Sequence, residues 1–335
     1  LYENKDDKFG IYHKYPKRRQ QIMNSAANRR IKYVQRVCIE DHKQDHFDNI
    51  NKLFGIFANY IKTRTAPIYC FPVATFITVI LGAQGNIDPF LVMRTVIGSY
   101  FLGLATYVYN DLTDFEVDKI NKINRPSVTG KTTKPQLLTV VCIMFGIGLS
   151  LTAFINYYTL CISGLFTILG IVYSHPQFKL KDKFPLKTVV TAGGAALLSL
   201  LGGAAVLNTS VPILYTSLSF FIFYFILSPL GDIGDVKGDR AVGRRTFPIV
   251  IGMKATLLIM FSVPCIIMTM TGIAYDALDM NMLGVYAIIS NCLVITILIL
   301  RMSSRLNDSS AIKLMRPKMR HLNVMMQISM LLAFL

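Results

Sequence analysis

Long apolar blocks constrain this chain more than any other feature of its sequence. Its 335 residues contain nine apolar blocks of about 17 to 25 residues, separated by short polar segments. A helix of that length spans the ~30 Å hydrocarbon core of a bilayer, where helices satisfy their own backbone hydrogen bonds. The blocks therefore predict an all-α, polytopic membrane protein with nine transmembrane helices. They lie at 66–83, 89–109, 137–155, 158–174, 188–207, 211–230, 255–273, 281–300 and 321–335.

The distribution of positive charge favours a membrane, rather than nucleic acid, as the partner of this chain. The net charge is +16, yet only 16% of the residues are charged, against roughly 25% in soluble domains. If the N-terminus is cytosolic, the cytosolic segments 110–135, 175–187, 232–254 and 301–320 hold twenty Lys or Arg. The segments on the other side hold none. This is the positive-inside pattern, and it predicts an integral membrane protein with a cytosolic N-terminus and no nucleic-acid partner.

The N-terminal residues differ in character from the rest of the chain. Residues 1–64 carry 14 Lys or Arg against 7 acidic residues. We expect residues 1–60 to form a basic cytosolic arm and residues 61–335 to form the transmembrane domain. A solvated tail and an arm lying on anionic lipid both fit this composition.

Two aspartate-rich segments follow apolar blocks and share one spacing. Their aspartates stand at i, i+3 and i+7, namely Asp111, Asp114 and Asp118 in the first segment and Asp232, Asp235 and Asp239 in the second. At 3.6 residues per turn, each triplet lies on one face of a helix, and Asn110 precedes Asp114 by one turn. Like charges on one face repel each other, and a solvated helix end explains one such triplet better than two. The repeated spacing therefore predicts cations between the two faces.

The oxygen atoms of these side chains suit Mg²⁺. This ion takes hard oxygen ligands, usually one or two carboxylates, and completes its shell with water and substrate phosphate. Two acidic faces therefore predict Mg²⁺ ions that bridge a polyphosphate. The candidate metal ligands are Asn110, Asp111, Asp114, Asp118, Asp232, Asp235 and Asp239. The candidate catalytic carboxylates are Asp114, Asp118, Asp235 and Asp239.

Basic residues beside the motifs extend the prediction to a substrate. Lys122 and Arg125 follow the first motif, and Arg240, Arg244 and Arg245 follow the second. Arg binds phosphate oxygens bidentately, although the positive-inside bias also explains each cation singly. A phosphate site at the mouth of an apolar bundle predicts a diphosphate head and a long apolar tail, as in a prenyl diphosphate.

Cleavage of the carbon–oxygen bond of such a substrate gives an allylic cation, which aromatic faces can stabilise. The candidate aromatic residues are Tyr107, Tyr109, Tyr173, Phe223 and Tyr224. Small residues at 193–195 and 202–203 either leave room for the tail or allow close helix packing.

The paired motifs, NDLTDFEVD at 110–118 and DIGDVKGD at 232–239, resemble those of the UbiA superfamily of intramembrane prenyltransferases. The likeness covers about residues 60–335. It implies nine transmembrane helices around a central cavity, with two cytosolic Asp-rich segments that bind Mg²⁺ and diphosphate. The segment YSHPQFKLK at 173–181 matches a further family signature. With the cations named above, the expected diphosphate contacts are Arg64, Lys122, Arg125, Tyr173, Lys179, Lys181 and Arg244.

The acceptor is the least constrained part of this reading. The second motif resembles that of archaeal geranylgeranylglyceryl phosphate geranylgeranyltransferases and their aromatic-acceptor relatives. Geranylgeranylglyceryl phosphate is the favoured lipophilic acceptor, and a quinone precursor or a terpene cyclase reaction stays open. A cation transporter fits less well, because both acidic clusters lie on one side and Arg94 is the only charged residue within the spans.

Overall fold

The computed structural model describes residues 49–65, 68–120, 132–304 and 309–335. The chain divides into two compact units. In the first, residues 1–55, only the helical residues 49–55 are described. The second, residues 56–335, contains the cavities and the site residues discussed below. Most of the predicted arm at 1–60 lies outside the described residues, so that its boundary stays a prediction.

Every regular element in the described part of the chain is helical, which confirms the all-α prediction. The helices are α1 Asn49–Thr65, α2 Cys70–Ala83, α3 Pro89–Thr113, α4 Phe115–Ile120, α5 Lys134–Ala153, α6 Tyr157–Ser174, α7 Leu186–Ala205, α8 Val211–Ala241, α9 Phe247–Val250, α10 Gly252–Ala277, α11 Met282–Ser303 and α12 Ser309–Ala333. A short 3₁₀ turn, Leu180–Asp182, lies between α6 and α7.

Each predicted apolar block overlaps one of these helices. Among the described residues, seven helices are long and apolar enough to cross a membrane, and an eighth counts if α1 and α2 form one bent span. The block at 321–335 is only the second half of α12, whose first half carries several cations, including Arg316 and Arg320. The chain is thus an integral membrane protein, while the count of nine spans stays a prediction.

The two acidic motifs are built differently. The second lies within α8, which runs for 31 residues from Val211 to Ala241, so that its three aspartates share one continuous helix as predicted. In the first, α3 ends at Thr113 and α4 begins only at Phe115, with Asp114 at φ −99° and ψ 15° between them. The expectation of a single helix is therefore wrong at Asp114. Its side chain is bound from two other segments of the chain, which helical spacing does not reveal.

The small residues of α7 have two different roles. A Cβ atom added at Gly202 would lie 2.2 Å from the backbone oxygen of Thr75, because α2 and α7 approach closely there. The hydroxyl of Thr75 also donates to the carbonyl of Leu198 at 2.7 Å. A Cβ atom added at Gly193, by contrast, would meet nothing within 4 Å. Close packing therefore holds at the end of α7, and open space lies nearer its start.

We expect Gly202→Ala to destabilise the protein by about 1–3 kcal/mol, because the added methyl group forces α2 and α7 apart. Gly193→Ala is the matched control and should be neutral or slightly stabilising, since Ala favours a helix over Gly. Thermal unfolding of the purified variants in detergent measures both. Equal midpoints for the two variants would contradict the close packing of α2 on α7.

Candidate active site

A polar cavity of about 290 Å³ lies between the helices, near the ends that carry the two acidic motifs. Its charged lining residues come from α1, α7, α8 and α12, and the name polar cavity refers to them: Arg64, Lys187, Asp232, Asp235, Arg316 and Arg320. The predicted site residues Arg64, Asp232 and Asp235 thus meet in one space, although they are far apart in the sequence.

An apolar cavity of about 170 Å³ adjoins the polar cavity. The two share four lining residues: Tyr107, Tyr173, Thr191 and Tyr224. The ring of Phe71 stacks on that of Tyr224, with centroids 5.9 Å apart. A charged space that shares an aromatic boundary with an apolar one suits a ligand with an anionic head and an apolar tail.

The aromatic candidates separate into two groups. Tyr107, Tyr173 and Tyr224 line both cavities, as a role near the reacting carbon requires. Phe223 is fully buried in the packed core, and Tyr109 lines a different cavity. The structure therefore places three of the five predicted rings beside the polar cavity.

The carboxylates of the second motif are only partly compensated. Lys187 pairs with Asp232, and its Nζ atom lies 3.7 Å from Oδ2 of Asp239. Arg316 donates to Oδ2 of Asp235 at 2.9 Å. One buried oxygen on each carboxylate has no hydrogen-bond donor: Oδ2 of Asp232, Oδ1 of Asp235 and Oδ2 of Asp239. Buried acceptors of this kind are costly, about 1–3 kcal/mol or more for a charged group, unless they meet a donor or a cation.

These three oxygens are the observation that fits Mg²⁺ to the site, since they are hard donors on one helix. Within the described residues, no three His, Cys, Asp or Glu side chains are grouped closely enough to hold a metal by themselves. Lys and Arg side chains compensate the carboxylates instead. The donor set therefore suits an ion that takes few protein ligands and completes its shell with substrate oxygens.

The first motif is paired more fully. The Nε atom of Arg64 donates to Asp111 at 2.7 Å. Asp114 lies 2.7 Å from Lys181 and accepts a hydrogen bond from Nδ2 of Asn110 at 2.8 Å. The Oδ1 atom of Asn110 accepts from Lys181 at 3.1 Å. Asn110, Asp114 and Lys181 thus form one hydrogen-bonded group. Asp118, the last member of the motif, is buried as well.

Arg244 connects the two motifs. Its guanidinium donates to Oδ1 of Asp114 at 2.7 Å, to Oδ1 of Asp239 at 3.2 Å and to Oδ1 of Asp182 at 2.7 Å. Burial alone would lower the pKa of Arg244, but Asp114 and Asp239 outweigh burial and raise it. Burial would likewise raise the pKa of Asp114, but Lys181 and Arg244 hold it below its ordinary value. The pairing of Arg244 with Asp114 thus favours the charged form of both groups.

The predicted diphosphate contacts do not all meet in one place. Arg64 and Tyr173 line the polar cavity. Lys179, Lys181 and Arg244 line a separate basic cavity of about 730 Å³, which Asp114 also lines. Burial lowers the pKa of Lys181 despite its pairing with Asp114. The remaining two predicted contacts, Lys122 and Arg125, lie outside the described residues.

Sequence reasoning missed four charged residues of the site. These are Asp182, Lys187, Arg316 and Arg320. Lys187 stands directly before an apolar block, and the positive-inside rule explains it without any further role. The i, i+4 spacing of Arg316 and Arg320 was a usable signal, because it places both on one face of a helix.

Comparison with known proteins identifies a family for this chain. The model of the UbiA prenyltransferase family matches residues 70–324. The digeranylgeranylglyceryl phosphate synthase of Sulfurisphaera tokodaii is 29% identical over 195 residues, which are 56% of this chain and 67% of the relative. That of Pyrococcus furiosus is 30% identical over 150 residues, 45% of this chain and 53% of the relative. The chain thus matches about half to two thirds of the length of these relatives.

Two solved structures share the fold. A structure described as digeranylgeranylglyceryl phosphate synthase in membranes has a TM-score of 0.65 and 18% identity, and the match covers 84% of this chain and 98% of that one. A UbiA homologue from Archaeoglobus fulgidus, bound to GPP and Mg²⁺, has a TM-score of 0.64 and 19% identity, covering 81% and 99%. Because the family model matches most of its length, this chain belongs to the UbiA prenyltransferase family.

Proposed function

We propose that this chain transfers a prenyl group from a prenyl diphosphate to a lipophilic acceptor, with Mg²⁺ as cofactor. The observation that carries the proposal is that the polar cavity and the apolar cavity share Tyr107, Tyr173 and Tyr224 in their linings. The favoured pair of substrates is geranylgeranyl diphosphate and geranylgeranylglyceryl phosphate. The names of the relatives support this choice, and so does the GPP and Mg²⁺ bound by the homologue from Archaeoglobus fulgidus.

The carboxylates of the second motif would hold the metal through their unpartnered oxygens. From the first motif, we assign the same role to Asn110 and Asp114, with Asp111 and Asp118 as supporting ligands. When bound, Mg²⁺ neutralises the negative charge that develops on the leaving diphosphate.

The cationic side chains and the aromatic rings that line the two cavities have different roles in the proposed reaction. Lys187 and Arg64 line the polar cavity and bind diphosphate oxygens there. Arg244 holds Asp114 and Asp239 in place. The tail lies in the apolar cavity, where Tyr107, Tyr173 and Tyr224 turn π-electron density toward the allylic cation and exclude water.

The acceptor must lose a proton as the new bond forms. Asp235 and Asp239 each keep an oxygen without a hydrogen-bond donor, so that when one of these two oxygens holds the metal, the other can take the proton of an acceptor hydroxyl. We therefore assign the general base to the second motif. Asp114 and Asp118 are the catalytic carboxylates of the first motif, opposite to it.

Removal of one motif carboxylate should nearly abolish turnover. We expect Asp235→Ala and Asp114→Ala to lower the initial rate about 100-fold or more at saturating Mg²⁺, because leaving-group stabilisation is lost. Asp276→Ala removes an exposed carboxylate at the far end of α10 and should leave the rate unchanged. Near wild-type turnover of both motif variants would contradict the assigned roles.

Product analysis distinguishes the possible acceptors. Purified protein, geranylgeranyl diphosphate and Mg²⁺ are incubated with a panel of acceptors and analysed by mass spectrometry. We expect ether-linked digeranylgeranylglyceryl phosphate, because a basic, phosphate-binding site suits a phosphorylated acceptor. A prenylated hydroxybenzoate, homogentisate or naphthoate would instead assign the chain to quinone synthesis. A cyclic terpene formed without any acceptor would identify a cyclase.

The proposal also fixes the orientation in the membrane, with the N-terminus and both acidic motifs on the cytosolic side. Single cysteines at Lys237 and Asp276, in a chain whose native cysteines are replaced, should react with a membrane-impermeant reagent from opposite sides. The reason is that α10 crosses the membrane between the end of α8 and Asp276. Labelling of both positions from one side would contradict this orientation.

A further inference from the structure

The last helix, α12, turns two arginines into the polar cavity. Arg316 and Arg320 are one turn apart, and both line the cavity, whereas Lys318 between them is exposed. The helix packs against α2, α8 and α11. The orientation of the two arginines is thus set by helix packing, and they are not part of a solvated basic surface.

The two guanidinium groups are compensated to different degrees. Arg316 donates to Asp235 at 2.9 Å and to the carbonyl of Gly231 at 2.5 Å. Arg320 has no carboxylate partner among the described residues, and the Nε atoms of both arginines are buried without an acceptor. By contrast, Arg64 and Lys187 in the same cavity are each ion-paired. Arg320 is therefore a charged donor that faces the cavity and lacks an acceptor.

Arg320 and the Lys187–Asp232 pair are held by different helices. That pair joins α7 to α8. The backbone of Arg320 accepts a contact from Cys70 Sγ at 3.7 Å, and the neighbouring His321 is hydrogen-bonded to Tyr69 at 2.9 Å. Arg320 is therefore anchored beside the start of α2. The polar cavity thus receives cations from two helix contacts, Lys187 where α7 meets α8 and Arg320 where α2 meets α12.

We infer that Arg320, assisted by Arg316, binds the phosphate group of the acceptor on the α2–α12 side of the polar cavity. The inference rests on the proposed function and adds to it the site that recognises the acceptor headgroup. A guanidinium pair suits a phosphate monoester, because each group can donate two parallel hydrogen bonds to its oxygens. The donor diphosphate then lies on the α7–α8 side, where the carboxylates of α8 and Lys187 meet.

Substrate kinetics show whose phosphate Arg320 binds. For Arg320→Gln, we expect KM for geranylgeranylglyceryl phosphate to rise about 10-fold or more, because a charge-assisted hydrogen bond is lost. KM for geranylgeranyl diphosphate should stay within about 2-fold. Arg320→Lys keeps the positive charge but not the two parallel donors of a guanidinium, so its KM for geranylgeranylglyceryl phosphate should lie between those of wild type and Arg320→Gln.

Lys318→Gln is the matched control, since it removes an exposed charge from the same helix, and both of its KM values should match those of wild type. A rise in KM for geranylgeranyl diphosphate alone, or no rise in either, would overturn the inference.

A binding measurement without turnover separates this inference from the proposed function. Inorganic phosphate, added without Mg²⁺, should raise the thermal midpoint of wild type and Lys318→Gln but not that of Arg320→Gln. Equal stabilisation of all three would overturn the anion site, whatever the reaction is. If wild type converts only an aromatic acceptor, the proposed acceptor is wrong, while selective loss of phosphate stabilisation still supports an anion site on α12. If Arg320→Gln does not fold, Arg320→Lys carries both comparisons.

Discussion

The buried guanidinium of Arg244 is the interaction on which the arrangement of the site depends. It joins Asp114 at the end of α3, Asp239 near the end of α8 and Asp182 in the 3₁₀ turn. Three segments that are far apart in the sequence are therefore fixed to one charged group. Removing one member of such a buried network leaves the others uncompensated, at a cost of about 3–5 kcal/mol. The two acidic motifs consequently face each other as a property of the fold, before any ligand binds.

The way in which the carboxylates of α8 are paired also explains how the site can bind a further cation. The carboxylates of α8 use one oxygen to pair with Lys187, Arg316 or Arg244 and keep the other without a donor. The hydrogen-bonded oxygen satisfies the fold. The other oxygen, which in Asp239 lies 3.7 Å from Nζ of Lys187, can meet a cation that arrives with the substrate. The cavity beside them is lined on its far side by Tyr107, Tyr173 and Tyr224, so charge and apolar surface meet at one boundary. A prenyl diphosphate has its reactive carbon at that same boundary.

Sequence reasoning recovered the helices and the motif spacing, because both are local properties. Block length gives the span, and the i, i+3, i+7 pattern gives the shared face on α8. The tertiary contacts of Asp114 with Lys181 and Arg244 could not be predicted in the same way, because they join residues far apart in the sequence. Lys187 was missed because the positive-inside rule already explains a lysine at a membrane boundary. Whether the glycines of α7 leave space or allow contact likewise depends on the facing helix, as the opposite environments of Gly193 and Gly202 show.

The central claim is that the polar cavity holds the diphosphate and the apolar cavity holds the prenyl tail. The most direct test is an experimental structure with Mn²⁺ and an unreactive thiolo analogue of geranylgeranyl diphosphate. The account predicts anomalous metal density next to Asp232 and Asp235, diphosphate density beside Lys187, and the tail passing Tyr107 and Tyr224. Diphosphate density in the basic cavity beside Lys179, with none in the polar cavity, would contradict it.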